Sequence, residues 1–429
     1  MNHTTVVLPS IVRGVTWTAL LQISSMLLLF FIAVLSARLI GVQEYSTLQF
    51  SIGWINILNV VCGLGLATVV LRSSGEASST DDWGELKGLV RFALSASGLA
   101  VIAMGMLGAT GLRYFSGSNQ LLLLLIGLFL IAIQQQRSIF QSLLNGQALF
   151  LRSGLGEFVS NLSLAAFLGG MLTLQSRVFS SAEDILTLRL CAATLGLAVL
   201  VFTWLNFTKK NLLVFRLAQP SYRPFKWMRS GLPIMLIAGA SIINTNADIV
   251  MIGSLHDRGA VGPYHAATRG AGLVIFSLSV LIVPLSPIIS KLYKVDARRM
   301  FEIVFKWTKV AFASSLAVSA ALLIFADWFL LLFGEGFLVA RHPMIILILA
   351  QLVNVLVGPM QQVLVMAGFE RIAAACMIAG TGTNIVANAI LIPKYGMEGA
   401  AIGTALSILV WNVLSLTSVY VAVWKNHSE

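Results

Sequence analysis

Long apolar runs alternate with short polar connections along the whole chain. They lie near 15–37, 47–71, 88–111, 120–145, 157–176, 184–207, 230–255, 263–290, 304–333, 343–366, 371–392 and 397–424. An α-helix needs about 20 apolar residues to cross the hydrocarbon of a bilayer. The pattern therefore predicts an all-α polytopic membrane protein with about 12 transmembrane helices. Asp327 and Trp328 interrupt the run 304–333, so eleven or thirteen spans fit as well.

Charge gives this pattern an orientation. With the N-terminus placed inside, 19 Lys and Arg fall in inside connections and 6 in outside ones. The remaining three of the 28 cations lie within spans. Cationic loops stay on the cytoplasmic side, so both termini are expected in the cytoplasm. Trp17, Trp204, Trp227, Trp307 and Trp424 fall near span ends, where indole rings favour the interface.

The composition narrows the class. Hydrophobic residues make up 58% of the 429 positions and charged residues 10%, against about a quarter charged in soluble domains. A net charge of +11 raises nucleic acid as a partner, but the cations cluster at helix ends as topology signals do, so none is predicted. The partner is instead the lipid bilayer. Cys62, Cys191 and Cys376 are scattered within apolar runs and read as buried free thiols. His256 and His265 flank one short loop and read as solvated, with a pH role as the alternative. No metal site, cofactor or phosphate-binding loop of the G-x-x-x-x-G-K-[ST] type is predicted. The first run is too long for a signal-peptide core and reads as a span.

The longest polar connection, 208–229, carries six cations with Pro220 and Pro224. It predicts a basic cytoplasmic linker between two six-helix bundles, 1–207 and 230–429. The halves look like weak parallel repeats. Gly146 ends the fourth run and Asn161 follows it; Gly368 ends the tenth and Asn384 follows it.

Four charges sit inside apolar runs: Arg137, Arg189, Arg269 and Asp248. A charge at mid-membrane costs roughly 2.5–3.5 kcal/mol on insertion scales, so such residues face the bundle interior or a wet path. Arg137 lies on the cytoplasmic side of centre. Its planar fork suits a phosphate; the alternative is a structural Arg bonded to Gln134, Gln141 or helix-end carbonyls. Asp248 and Arg269 come to similar depths on consecutive runs and are expected to pair. Either that pair fixes the hairpin, or Asp248 releases Arg269 to substrate or takes a coupling cation. Arg189 lies near a span end and can snorkel to the interface. Glu157 is expected beside Arg152. Pro284 and Pro287 predict a kink in the eighth span.

A series of short motifs runs through the chain. They are Arg13-Gly14-Val15-Thr16-Trp17; Ala37-Arg38-Leu39-Ile40-Gly41 with Glu44-Tyr45; and Asn246-Ala247-Asp248-Ile249-Val250-Met251-Ile252-Gly253. Val261-Gly262-Pro263-Tyr264, Ala266-Ala267-Thr268-Arg269, Pro287-Ile288-Ile289-Ser290-Lys291 and Leu391-Ile392-Pro393-Lys394-Tyr395-Gly396 continue the series, which ends on Gly399-Ala400-Ala401-Ile402-Gly403-Thr404. Together these motifs resemble the polysaccharide-transporter, or Wzx-type, flippase family of the multidrug/oligosaccharidyl-lipid/polysaccharide superfamily. Ser46 departs from the pattern, because the family often has Gly after the Tyr.

The resemblance implies a MATE-like fold with a central cavity open to each side in turn. It implies an undecaprenyl-diphosphate-linked oligosaccharide as cargo, moved from the cytoplasmic to the outer leaflet of the bacterial inner membrane. Arg137, Arg269, Asp248 and Arg189 are then candidate substrate contacts. A coupling cation and the polysaccharide polymerase machinery, for O-antigen or a similar polymer, are further expected partners. Two alternatives stay open: a cation-coupled multidrug exporter, and a membrane-bound glycosyl- or acyltransferase.

Overall fold

The computed structural model describes residues 4–112, 118–173, 181–211, 213–293 and 295–424. The side chains of the 13–17 motif and of Pro284 lie outside the described residues. No strand occurs among those described. Helices run in the order α1 (Thr4–Gly63), α2 (Leu66–Thr80), α3 (Trp83–Leu112), α4 (Ser118–Gly146), α5 (Phe150–Thr173), α6 (Ala182–Asn211), α7 (Leu213–Leu217) and α8 (Pro224–Leu255). They continue with α9 (Val261–Leu292), α10 (Ala297–Ile324), α11 (Ala326–Leu331), α12 (Arg341–Val357), α13 (Pro359–Met366) and α14 (Glu370–Val419). Helix is the only open structure that satisfies its own backbone in lipid. Nine of the helices among the described residues are long and apolar enough to cross a membrane.

Polar punctuation sets the helix ends. Ser181 and Asp184 form a reciprocal cap at the start of α6, with Asp184 N–H donating to Ser181 Oγ (3.2 Å) and Ser181 N–H to Asp184 Oδ2 (3.1 Å). Asp296 Oδ1 accepts from Arg299 N–H (2.8 Å) and starts α10. Gly396 breaks α14 at φ 55°, ψ −127°, a conformation that an L side chain rarely adopts. Beyond this break α14 folds back on itself: Thr404 meets Asn384, Ser407 meets Gly380 and Ser418 meets Cys376.

The chain forms two compact units. The first holds 1–40 and 54–239, and the second holds 41–53 and 240–429. The linker and the start of α8 thus belong to the first unit. There, Ser221 N–H donates to Gly84 O (3.0 Å), and a Cβ at Gly88 would lie 1.8 Å from Ser221 O. Lys87 Nζ donates to Ala218 O (2.9 Å). Glu85 receives Lys226 (2.7 Å) and Arg223 (3.2 Å). The basic segment is therefore strapped to α3 rather than left as a free tether. Behind it lies a core of Leu66, Val70, Leu86, Leu89, Leu143 and Trp227. The second unit has its own core around Met300, Phe301, Val363 and Leu364.

Two turns make the repeat concrete and shift its register. Leu149 N–H donates to Leu144 O (2.9 Å) after Ala148 at φ 58°; Phe369 N–H donates to Leu364 O (2.8 Å) after Gly368 at φ 90°. Both are helix-ending turns of one pattern. They match Ala148, not Gly146, with Gly368. Carried into the next helices, this offset sets Asn161 against Thr381 rather than Asn384.

Candidate functional site

Asp248 is the centre of a buried polar site in the second unit. It is 6% exposed. Tyr264 Oη–H (2.7 Å) and Thr404 Oγ1–H (2.5 Å) donate to its Oδ2. Asn384 Nδ2 (3.0 Å) and Asn388 Nδ2 (2.6 Å) donate to Oδ1. These donors come from α9 and from both arms of α14. The spacing of Asn384 and Asn388 is one helical turn, which puts both amides on one face. Asn388 is fully buried, and its own Oδ1 has no hydrogen-bond partner. Gly403 makes room for it, because a Cβ there would lie 2.1 Å from that oxygen. A hydrogen bond to an ionised group is worth about 1.5–3 kcal/mol, so four donors offset the cost of burying one carboxylate.

Arg269 does not pair with Asp248, contrary to the sequence expectation. Its Nε donates to His265 Nε2 (3.2 Å). The reason is angular. Tyr264, which faces Asp248, precedes Arg269 by five residues, or about 140° around the helix. His265 is one turn from Arg269 and shares its face. Nor is His265 solvated: it is 5% exposed. An arginine Nε can only donate, so His265 Nε2 accepts and the ring proton sits on Nδ1. From there it donates to Tyr45 Oη (2.9 Å). Tyr45 is held between His265 and the rings of Phe333 and Phe337. The Arg269 side chain is exposed, and its terminal nitrogens make no hydrogen bond among the described residues.

Ser46 gives the departure from the family pattern a role. Its Oγ accepts from Gly262 N–H (2.9 Å) and lies 2.8 Å from Gly259 O. It therefore tethers segment 41–53 to the turn that opens α9. Arg258 lies over the Phe50 ring at 5.2 Å beside it.

Arg137 lies on α4 of the first unit and is half-buried. It makes no hydrogen bond and no ion pair among the described residues, so the structural alternative through Gln134 or Gln141 is not realised. Glu157 is the carboxylate whose charge reaches it. Arg152, the expected partner of Glu157, is exposed and forms no ion pair with it. The neighbouring Gln135 donates to the Asn59 backbone and to Asn59 Oδ1 (2.8 Å), fixing α4 against α1. Arg189 is half-buried near the start of α6. The four candidates therefore do not form one cluster within a unit: Arg137 and Arg189 belong to the first, Asp248 and Arg269 to the second.

Other expectations are corrected in part. Cys62 and Cys376 are buried free thiols, but Cys191 is exposed. A cleft of about 510 Å³ in the first unit is bordered by Arg72, Glu76, Glu85, Lys226 and Arg229. Glu76 and Glu85 already occupy Arg72 and Lys226, so the cleft is no simple anion site. The sequence assigns no site role to Tyr264, Asn388, Thr404 or Tyr45, and its reading of His265 as solvated is overturned by burial. Its available signal was the recurrence of uncharged polar residues at one-turn spacing beside each embedded charge.

The long kinked helices, grouped in two units, give a MATE-like fold. An inward-facing multidrug resistance MATE family transporter of the MOP superfamily superposes with a TM-score of 0.74 at 15% identity, covering 93% of this chain and 95% of that one. The lipid II flippase MurJ in an inward closed conformation gives 0.68 at 17% identity, covering 94% and 87%. Residues 11–293 match the family described as polysaccharide biosynthesis protein, and the chain belongs to that family. A probable low-salt glycan biosynthesis flippase, Agl15, of Haloferax volcanii is 28% identical over 173 residues. That match spans 39% of this chain and 36% of the relative.

Proposed function

We propose that the protein is a flippase for a lipid-linked glycan. Its cargo is a polyprenyl-diphosphate-linked oligosaccharide, carried from the cytoplasmic to the outer leaflet by alternating access for surface polysaccharide biosynthesis. The observation that carries this reading is Arg137, an embedded cation with no bonded partner among the described residues. Family membership and the flippases among its relatives support it. The polyprenyl tail stays in lipid while the diphosphate needs a cation inside the protein. Arg269, held at Nε by His265, is the candidate substrate contact of the second unit. An interior-negative potential of 100 mV drives each negative charge outward by about 2.3 kcal/mol, so no nucleotide is required.

In this reading both termini are cytoplasmic, the membrane is the bacterial inner membrane, and a polymerase takes the cargo outside. Asp248 serves coupling. Its carboxylate and Thr404 Oγ1 are hard-cation ligands, and the Asn384 and Asn388 amides would turn their oxygens toward the ion in place of the Nδ2 groups that now donate. The unpartnered Asn388 Oδ1 fits such a ligand. A cation bound there would neutralise Asp248.

Deletion of the gene is expected to abolish surface polysaccharide and to leave its lipid-linked precursor in the cytoplasmic leaflet. Cells that keep the polysaccharide and instead become drug-sensitive would favour the second reading, a multidrug exporter coupled through Asp248.

A further inference from the structure

The second arm of α14 carries a polar residue on every turn: Thr404, Ser407, Trp411 with Asn412, Ser415 and Ser418. The steps are three or four residues, so they form one stripe of about 21 Å along the helix. Each layer finds polar groups on its neighbours. Thr404 shares Asp248 with Asn384 and Asn388. Ser407 Oγ donates to Gly380 O (2.8 Å) and lies 3.5 Å from Asn244 Oδ1. Asn412 Nδ2 donates to Asn354 Oδ1 (3.1 Å), whose Nδ2 donates to Gln351 Oε1 (3.0 Å). Ser415 Oγ donates to Gln361 Oε1 (2.9 Å), and Gln361 Nε2 reaches Ala373 O (3.0 Å). Ser418 Oγ and Cys376 Sγ close the series at 3.8 Å. Asn388, Asn384, Ser407, Asn412 and Ser415 are all buried.

Interhelical polar bonds in membranes are weak glue, so a stripe this long is a costly way to hold two helices. Two atoms on it also have no partner: Asn388 Oδ1 at the head and Trp411 Nε1 midway. Buried polar groups left by the protein are ordinarily satisfied by water. The stripe begins at an embedded carboxylate and ends at the end of the unit that carries the 367–370 turn. Asp248, Tyr264 and Cys376 are the titratable groups along it.

We propose that this stripe is a hydrated path by which a small monovalent cation passes between Asp248 and that end of the second unit. It rests on the reading that Asp248 takes a coupling cation. The layers supply hydroxyl and amide oxygens turn by turn, so a partly dehydrated ion or a proton moves without meeting bare hydrocarbon.

Hydroxyl-radical footprinting of the unmodified protein in lipid vesicles tests hydration directly. Trp411 is expected to oxidise at a rate nearer that of exposed Trp328 than of buried Trp227. Protection of Trp411 equal to that of Trp227 overturns the path. A second measurement uses single cysteines in a protein lacking the native three. With a small cationic methanethiosulfonate, Ser407→Cys and Ser415→Cys are expected to react at least ~10-fold faster than Ser315→Cys, which is equally buried, bonded to Val274 O and off the stripe, and so protected by the free energy of local opening. Equal protection at all three sites overturns the path. Raising sodium at fixed pH, or lowering pH at fixed sodium, identifies which cation slows labelling. Labelled layers with transport indifferent to both would remove the coupling role of Asp248 and leave the hydrated stripe. Protected layers with transport that depends on Asp248 and a cation would do the reverse.

Discussion

Asp248 of the second unit and Arg137 of the first are embedded charges handled in opposite ways. In the second, Asp248 is enclosed by four donors, and Arg269 is held at Nε by His265. In the first, Arg137 is half-buried with no bonded partner, and Glu157 acts on it only from a distance. An anion that the protein satisfies itself is built into the fold. A cation left unsatisfied inside a membrane protein draws its partner from elsewhere, and a diphosphate is the group that fits a planar fork. Under the proposed function, the difference separates a residue that stabilises and couples from one that binds cargo.

Removing Asp248 tests the first half of this contrast and should have the largest effect on the fold. Asp248→Ala leaves two amides and two hydroxyls buried without their acceptor. An unsatisfied buried group costs about 1–3 kcal/mol, so a loss of about 3 kcal/mol or more is expected in a denaturant titration. Gly403→Ala should move in the same direction, since its methyl would strike Asn388 Oδ1. Wild-type stability in Asp248→Ala would mean that the four donors are not a unit.

Arg137→Ala should invert the pattern. No internal bond is lost, so stability is expected within about 0.5–1 kcal/mol of wild type. Transport should fall by the worth of a buried charge-assisted contact, about 2–5 kcal/mol. Arg137→Lys keeps the charge but not the fork and should recover only part of the flux. Full export by Arg137→Ala at normal protein level would sink the cargo role of this residue.

The contrast explains what the sequence could and could not disclose. Embedded charges were legible because each interrupts an apolar run, and depth follows from counting residues. Azimuth did not follow. Asp248 and Arg269 reach similar depths, yet Tyr264 rather than Arg269 turns toward the carboxylate. Asn384 was visible as a polar residue in a span, but its partner lay 136 positions away in sequence. The fold of α14 back on itself at Gly396 creates that contact, and no local pattern encodes which turns then meet. His265 looked like a loop residue because it stands near the start of α9. Tyr45, 220 positions away, is what buries it. The repeat was legible as spacing and mistaken in register, since Ala148 adopts a positive φ that composition assigns to glycine.

His265 sharpens the comparison on the second unit's own cation. Its Nε2 accepts from Arg269 Nε and fixes the direction of the guanidinium. His265→Ala frees the guanidinium to sample other rotamers. Transport is expected to fall about tenfold, equal to 1.4 kcal/mol of lost positioning, while Arg269→Ala falls further. His265→Gln keeps an acceptor and should recover part of the loss. Wild-type transport by His265→Ala would detach His265 from Arg269 function.

Ser46→Gly carries the smallest expected effect and isolates the tether from the charges. The substitution removes the hydroxyl that accepts from Gly262 N–H and lies beside Gly259 O, and it leaves Tyr45, His265 and Arg269 chemically intact. One neutral hydrogen bond is worth about 0.5–1.5 kcal/mol net, so stability should drop by about 1 kcal/mol. If segment 41–53 must detach from the α9 turn during each cycle, that same loss lowers the cost of opening, and flux should rise or hold while the protein becomes less stable. If the contact persists through the cycle, stability and flux should fall together. Measuring both in one preparation decides whether Ser46 is a latch or a fixed brace, a distinction that the charged residues beside it would obscure.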